Sequence, residues 1–520
     1  MDEESNVPNF SKPRQHSSAS SSDDLEKGST PPELAPDLDG QHKVEGEQYP
    51  VMDLDHGIVA WDSQDDPANP RKFSSGRKKL LLGLVSSITF VSPLASSMFA
   101  PGITFVDTEF HNTSTILASL AVSIFVLGFA LGPLVLSPLS EIYGRYPVLT
   151  TANVFFSLFQ IGCALAPNLG ALIVFRLLAG IGGSACLTIG AGVIGDMYET
   201  RYRGAATGIF SVGPLFGPVI GPICGGFLSQ RAGWRWVFWV LLIASGIVVS
   251  VAAIINKETN AVVLLGRKTK RLRKELNRPE LRSYYDKEEA LSSTTILLRG
   301  LWRPFKLLCH SVIVVILSTY MAFVYGLLYL LFTTITLVFQ QQYGWAPELT
   351  GLAYLGVGIG FLLGVVSVAK TSDATVVRLT KANNGVYEPE MRLPMMVFYA
   401  MLIPISFFWY GWAVEAHTHW IVPIIGLMPF GIGMMGVFLP IQTYCIDAYT
   451  RYAASALACL SFTRSIAGAF LPMAGPTLYS SLGYGVGNSV LGAIAFALIP
   501  APALIYKFGG TIRKKYPVEL

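Results

Sequence analysis

The chain has 520 residues, of which 52% are hydrophobic and 14% charged, with a formal net charge of +4. Ordinary soluble domains carry about 25% charged residues, and here the charges gather between long apolar runs, which excludes a string of globular domains and points to an integral membrane protein. So small a net charge gives no argument for nucleic acid, and six cysteines without paired spacing exclude a disulfide framework and a zinc site.

In chain order, residues 1–75 are rich in Ser, Asp, Glu, Pro and Gly, cannot bury a core, and are expected to be a disordered tail. The start, Met1-Asp-Glu-Glu, has neither a basic nor an apolar region, so no cleavable signal peptide is expected. Ser20-Ser-Ser-Asp-Asp-Leu-Glu26 reads either as an acid-directed phosphorylation site or as plain solvated tail. Apolar spans follow near 80–106, 115–138, 147–166, 170–195, 205–229, 236–255, 311–338, 350–369, 394–413, 420–444, 454–480 and 484–506. Each is long enough to cross ~30 Å of hydrocarbon as a helix. Twelve spans put both termini on one side.

One set of loops holds Arg145, Arg201, Arg203, Lys370, Arg378, Lys381, Arg392 and Arg451; the opposite set holds Arg231 and Arg235. The basic set is expected to be cytoplasmic, with both termini. Asn112-Thr-Ser then lies outside as a candidate glycosylation site. Residues 256–306 form a linker between six spans and six, and its run Arg267 to Lys274 is expected against the anionic inner leaflet. The expected organisation is a tail at 1–75, a bundle at 76–255, the linker at 256–306, a second bundle at 307–508 and a tail at 509–520.

Span five carries glycines at 213, 217, 221 and 225 and prolines at 214, 218 and 222. Spacing of four puts the glycines on one face that a neighbouring backbone can approach closely. Pro218 and Pro222 cannot donate backward, so carbonyls are freed that lipid cannot satisfy; this side is expected to face protein or a water-filled cavity. The halves also echo each other: Asp196-Met-Tyr-Glu-Thr-Arg-Tyr answers Asp447-Ala-Tyr-Thr-Arg-Tyr, and Gly221-Pro222 answers Gly475-Pro476. The offsets, 447 − 196 = 251 and 475 − 221 = 254, are nearly constant. An even-numbered repeat keeps its orientation, so two parallel six-helix repeats with a site between them are expected.

Gly217-x-x-x-Gly221-Pro222-x-x-Gly225-Gly226 fits the antiporter motif of the major facilitator superfamily, and the chain resembles that family's twelve-span fungal drug:proton antiporters of the DHA1 type over about residues 58–515. Ser137-Pro-Leu-Ser-Glu141-Ile-Tyr-Gly144-Arg145 is similar to the superfamily's gating motif, with Ser137 in place of Gly and Glu141 in place of Asp. Arg176-Leu-Leu-Ala-Gly180-Ile-Gly182 resembles the span-four arginine motif, with Ala179 replacing a commoner polar residue. The leader Trp61–Pro70, Trp234-Arg-Trp-Val-Phe-Trp239 and Pro389-Glu-Met-Arg-Leu-Pro394 look like the same fungal group. The resemblance implies an all-α membrane protein of two six-helix bundles that exports drugs, xenobiotics or a hydrophobic metabolite by proton antiport, with no cofactor beyond the proton gradient.

Glu141 and Arg145 read either as a latch pinning helix ends or as a surface ion pair. Arg176 and Arg464 are the charges well inside spans; each glues helices through backbone carbonyls or faces a cavity. No Asp or Glu lies in the middle of a span, so a proton carrier falls to Asp196, Asp447 or Glu141 near the inner ends, coupled to an arginine, and polyamine substrates are disfavoured. Tyr320, Tyr325, Tyr329, Tyr354, Phe361, Gln442 and Tyr444 are the cavity candidates, since rings with a polar tip suit large, flat ligands. The motifs of an ATP-driven pump, a metalloprotease and a serine hydrolase are absent, so no enzymatic activity is expected. A nutrient importer and a non-transporting sensor stay open as alternatives. The expected partners are a small amphiphilic substrate and the lipid bilayer, for a monomer in the plasma membrane or, alternatively, the vacuolar membrane.

Overall fold

In hydrocarbon every backbone N–H and C=O must find a partner within the protein, so an apolar stretch can cross only as a helix or as a strand of a closed barrel. In the computed structural model, which describes residues 49–255, 257–286, 293–449 and 453–515, the apolar stretches are helices. In the first half they are α1 (Ser75–Glu109), α2 (Thr115–Tyr143), α3 (Arg145–Ala164), α4 (Leu169–Met197), α5 (Thr200–Arg231) and α6 (Arg235–Ile255). Two linker helices follow, α7 (Ala261–Glu275) and α8 (Ser293–His310). The second half holds α9 (Val312–Tyr343), α10 (Pro347–Ala382), α11 (Pro389–Glu415) and α12 (Ile421–Ala448). The last apolar stretch, Ala453–Arg513, is a single 61-residue helical segment only by continuity, because Gly483 turns the chain at φ 75°, ψ 175°. It therefore supplies two crossings, α13 (453–482) and α14 (484–513), which completes the all-α fold of twelve membrane helices.

Polar side chains fix several starts. Ser74, Ser114, Asn168 and Ser311 accept from the backbone amides of Arg77, Leu117, Ala171 and Val314 and so cap α1, α2, α4 and α9. Helix α10 runs to Ala382, well past the apolar stretch at 350–369, because hydropathy reads only the part inside hydrocarbon.

The packing repeats between halves. Helix α1 lies on α5 as α9 lies on α13; α2 lies on α4 as α10 lies on α12; α3 lies on α6 as α11 lies on α14. The two bundles meet along α2 against α13 and α5 against α10. The glycine face of α5 packs on α1, as its spacing implies. A Cβ at Gly217 would stand 2.8 Å from the Leu94 nitrogen, and one at Gly225 would overlap the Met98 carbonyl oxygen. Pro218 and Pro222 are buried, and the carbonyl of Pro222 meets Gly351 of α10, so the proline side faces protein. All three prolines sit in one unbroken helix.

One expectation needs correction. The structureless tail does not reach residue 75: residues 49–74 are ordered, while residues 1–48 lie outside the described residues. Strand β1 (Ile58–Val59) pairs in parallel with β2 (Arg282–Ser283). Tyr49 and Trp61 bury against Leu265 of α7, forming a small apolar cluster. Lys268 donates to the Ala60 carbonyl (2.9 Å) and to Asp62 (2.7 Å), and Arg278 donates to the Leu54 carbonyl (3.1 Å). Part of the basic run of α7 is engaged within the protein. Arg267 reaches the Tyr143 carbonyl, Arg273 the Leu281 carbonyl, and Arg271 pairs with Glu275. Lys270 and Lys274 are exposed and meet no carboxylate among the described residues.

Candidate functional site

At mid-depth a chain of polar and aromatic contacts joins the two intramembrane arginines. Arg176, from α4, is 1% exposed, and one of its terminal nitrogens donates to the carbonyls of Val122 (2.9 Å) and Ser96 (3.3 Å). Its guanidinium lies over the rings of Phe99 (4.7 Å), Phe125 (5.5 Å) and Phe238 (5.9 Å). Of its two readings the structure favours the first: Arg176 ties α4 to α1 and α2 inside the first bundle. The Ser96 hydroxyl then bonds the Tyr329 hydroxyl at 3.0 Å across the seam between halves. Tyr329 packs on Tyr325 with ring centroids 5.2 Å apart and the planes tilted by 50°, and Arg464 lies over Tyr325 (5.0 Å) and over Phe438 of α12 (4.8 Å). The Nε of Arg464, like that of Arg176, is buried with no hydrogen-bond partner among the described residues, but Arg464, unlike Arg176, makes no hydrogen bond through its other nitrogens among those residues either. An intramembrane guanidinium with a donor unspent is suited to an acceptor brought by a substrate.

The other cavity candidates separate by exposure. Tyr325 and Gln442 are half-buried. Tyr354 is fully buried and its hydroxyl is satisfied by Thr336 (3.0 Å) and the Phe332 carbonyl (2.8 Å), so it packs α9 against α10. Phe361 is in the second-half core. Tyr320 and Tyr444 are buried with hydroxyls that lack partners among the described residues.

At the end of the bundle that carries the basic loops, the gating-motif residues meet partners other than those expected. Glu141 is exposed and forms no ion pair among the described residues. Arg145 instead reaches Asp196 at the end of α4 (3.2 Å) and Ser140 (2.7 Å). Glu258, at the head of the linker and 7% exposed, accepts from the backbone amides of Arg145 (2.8 Å), Tyr146 (3.3 Å), Thr259 (3.0 Å) and Asn260 (2.9 Å). A carboxylate at the first amides of α3 satisfies donors the helix cannot and complements its dipole. Gly144 is the hinge between α2 and α3. Its φ is +108°, and a Cβ there would collide with the Glu258 carboxylate, so only glycine fits.

The second half repeats the device. Asp447 accepts from Arg392 and from the Tyr387 hydroxyl. Burial, with Asp447 as acceptor, holds the Tyr387 phenol well above its usual range, so it stays a donor. Beside it stands a second ion pair, Glu390 at the start of α11 with Arg513 on α14 at 3.2 Å. Asp196 and Asp447 are thus coupled to Arg145 and Arg392, and not to Arg176 and Arg464. The signal for Arg392 is in the sequence, since 392 − 145 = 247 is close to the repeat offset. Glu258 stands outside every quoted motif.

At the opposite end, Glu109 holds Trp234 and Arg235 at 2.7 Å each, and Arg231 pairs with Glu348 of α10 at 3.2 Å across the seam. Asn112 is half-buried, and its amide donates to Asp107 (2.7 Å) and to the Ser114 carbonyl (3.0 Å), so the candidate glycosylation residue already holds a turn. Helix α5 meets the second half chiefly through Pro347–Tyr354 at this end, with little contact further along α10. Towards the basic loops, residues 204–209 of α5 are exposed except for Ala206, around more of the helix than a lipid face alone occupies. The halves are therefore joined at the end opposite the basic loops and parted along α5 at the other.

Residues 85–472 match the family model described as Major Facilitator Superfamily. The chain is similar to the MFS transporter cpaT of Aspergillus oryzae, 45% identical over 492 residues that make up 94% of this chain and 99% of the relative. It is also similar to the MFS-type transporter penM of Penicillium rubens, 46% identical over 88% of this chain and 90% of the relative. The efflux pump radE of Floropilus chiversii is 44% identical over 90% of this chain and 87% of the relative. Among solved structures, the partially occluded inward-open xylose transporter XylE from E. coli aligns with a TM-score of 0.61 at 16% identity, over 84% of this chain and 98% of that one. A POT family transporter in complex with 5-aminolevulinic acid aligns with a TM-score of 0.62 at 15% identity, over 86% and 99%. Identities this low speak for the fold alone, but the family model and the fungal relatives speak for descent. The chain belongs to the Major Facilitator Superfamily.

Proposed function

We propose that this membrane transporter exports a small, hydrophobic or amphiphilic, acceptor-bearing compound, a secondary metabolite, toxin or drug, by alternating access driven by proton antiport. The relatives named as MFS-type transporters support transport, and the one named as an efflux pump supports its outward direction. The single observation that carries the reading is Arg464, whose unpaired Nε lies among Tyr325, Tyr329 and Phe438 where the halves meet. Aromatic faces take up a flat apolar body, and the guanidinium takes a carbonyl, enolate or carboxylate. The pairs Arg145–Asp196 and Arg392–Asp447 each lie within one half, so they brace each bundle at its basic end and let it rock as a rigid body. With the basic end cytoplasmic, the parted end of α5 faces the cell interior, and this is the conformation that loads an exporter. Asp196 and Asp447 are the carboxylates available to carry protons, each taking one up when its arginine moves off it and giving it up when the pair re-forms. The protein acts as a monomer in the plasma membrane.

The test is expression in a yeast depleted of its own pumps, scored for resistance across a panel of flat acidic, neutral and polycationic compounds, with and without a collapsed proton gradient. Resistance to acidic and neutral compounds that vanishes with the gradient is the expected result. Resistance to polyamines at low dose, or resistance indifferent to the gradient, would overturn it.

A further inference from the structure

We propose that α8 is an interfacial helix whose row of Arg299, Arg303 and Lys306 binds the anionic headgroups of phospholipids in the leaflet at the basic end of the bundle. This rests on the chain spanning a membrane, and not on what it carries or in which direction.

At 3.6 residues per turn α8 has three stripes. One is buried: Leu307 is 0% exposed, Pro304 is buried, and Gly300 sits against Pro138 of α2. A second stripe holds Leu298 and Trp302, 58% and 69% exposed, with Cys309 exposed beyond them. Phe305 on the same stripe packs on Phe462 of α13 at 5.0 Å. The third stripe holds Arg299, Arg303, Lys306 and His310. Among the described residues none of Arg299, Arg303 and Lys306 pairs with a carboxylate, whereas Lys268 and Arg271 of α7 do.

Only Ser311 separates α8 from α9, which enters the membrane at Val312, so the end of α8 is held at the membrane surface. A helix tied there, with an exposed tryptophan and leucine beside three cations that meet no carboxylate among the described residues, one exposed and two half-buried, has the composition of one lying in the headgroup region. Trp302 and Leu298 sink towards the acyl chains, and the cations reach sideways to phosphate and carboxylate. Charge complementarity and attachment to a spanning helix favour lipid over a protein partner. Because α8 rests on both α2 and α13, the helices either side of the seam, bound lipid bears on both halves together.

The test uses the full chain carrying Cys224→Ser, which leaves Cys309 as the exposed thiol among the described residues. The protein is placed in nanodiscs of phosphatidylcholine alone or doped with phosphatidylserine, and labelling of Cys309 by a membrane-impermeant maleimide is timed. Phosphatidylserine is expected to slow labelling several-fold. Binding of fluorescent phosphatidylserine in detergent is expected to weaken about fivefold per neutralised cation, roughly a hundredfold in R299Q/R303Q/K306Q, at about a kilocalorie per charge. Binding in the triple variant equal to that of the parent chain would overturn the proposal. So would labelling indifferent to lipid, which needs no variant in α8, or competition by soluble glycerophosphoserine as strong as by the lipid, which would mark a free-phosphate site. Slowing by a co-purifying protein with no lipid effect would assign the face to a protein partner instead.

Discussion

The Arg145 guanidinium lies 3.2 Å from the Asp196 carboxylate, joining the start of α3 to the end of α4, while Glu141, four residues before Arg145, points away unpaired. With side chains only 16% and 24% exposed, the pair is worth more than an open surface bridge. A double-mutant cycle of Arg145→Gln and Asp196→Asn is expected to give a coupling of about 1–3 kcal/mol in thermal stability. Glu141→Gln is expected to leave stability within ~0.5 kcal/mol. A coupling near zero would remove Asp196 as the partner.

The two arginines should part company on mutation. Arg176→Leu removes a buried tie between three helices and is expected to lower the melting temperature in detergent by several degrees, at about 1–3 kcal/mol. Arg464→Leu loses cation–π contacts worth roughly 1 kcal/mol, so it is expected to fold and reach the membrane while resistance falls. Equal losses of stability in the two variants would count against a substrate role for Arg464.

Close helix packing makes the α5 glycines intolerant of volume. Gly225→Ala and Gly217→Val push into Met98 and Leu94 of α1, and overpacking of this kind costs about 1–3 kcal/mol or more. Gly208→Ala is the control, since a Cβ there meets nothing within 4 Å. Surface expression and melting temperature should fall for the first two only.

The ordered leader makes a different prediction. Removing residues 1–46 is expected to leave resistance intact. Trp61→Ala opens the cluster with Tyr49 and Leu265 at a cost of about 3–5 kcal/mol to that local unit. Protease cleavage between residues 49 and 74 measures this: rapid cutting in Trp61→Ala, slow cutting in the parent chain.

The helices and the repeat were legible because hydropathy and the Gly-Pro echo are local signals. Arg392 was legible in principle, lying near the repeat offset from Arg145. The fold of residues 49–74 was hidden because its few apolar residues stand among acids, and Trp61 finds its cover in Leu265, about two hundred positions away. The gating residues misled for a related reason. Spacing of four suggested Glu141 for Arg145, but Gly144 breaks the helix between them and aims Arg145 at another element altogether.

Among the described residues three polar contacts cross between the bundles: Ser96 with Tyr329, Ser123 with the Ala469 carbonyl, and Arg231 with Glu348. Two hydroxyl bonds and one exposed pair amount to no more than a few kcal/mol. The seam is otherwise apolar packing of α2 on α13 and of α5 on α10, which holds no fixed polar register between the bundles. On the proposed alternating-access cycle, a cargo molecule or proton that prefers the opposite conformation by a hundred- to ten-thousandfold shifts the balance by about 3 to 5.5 kcal/mol.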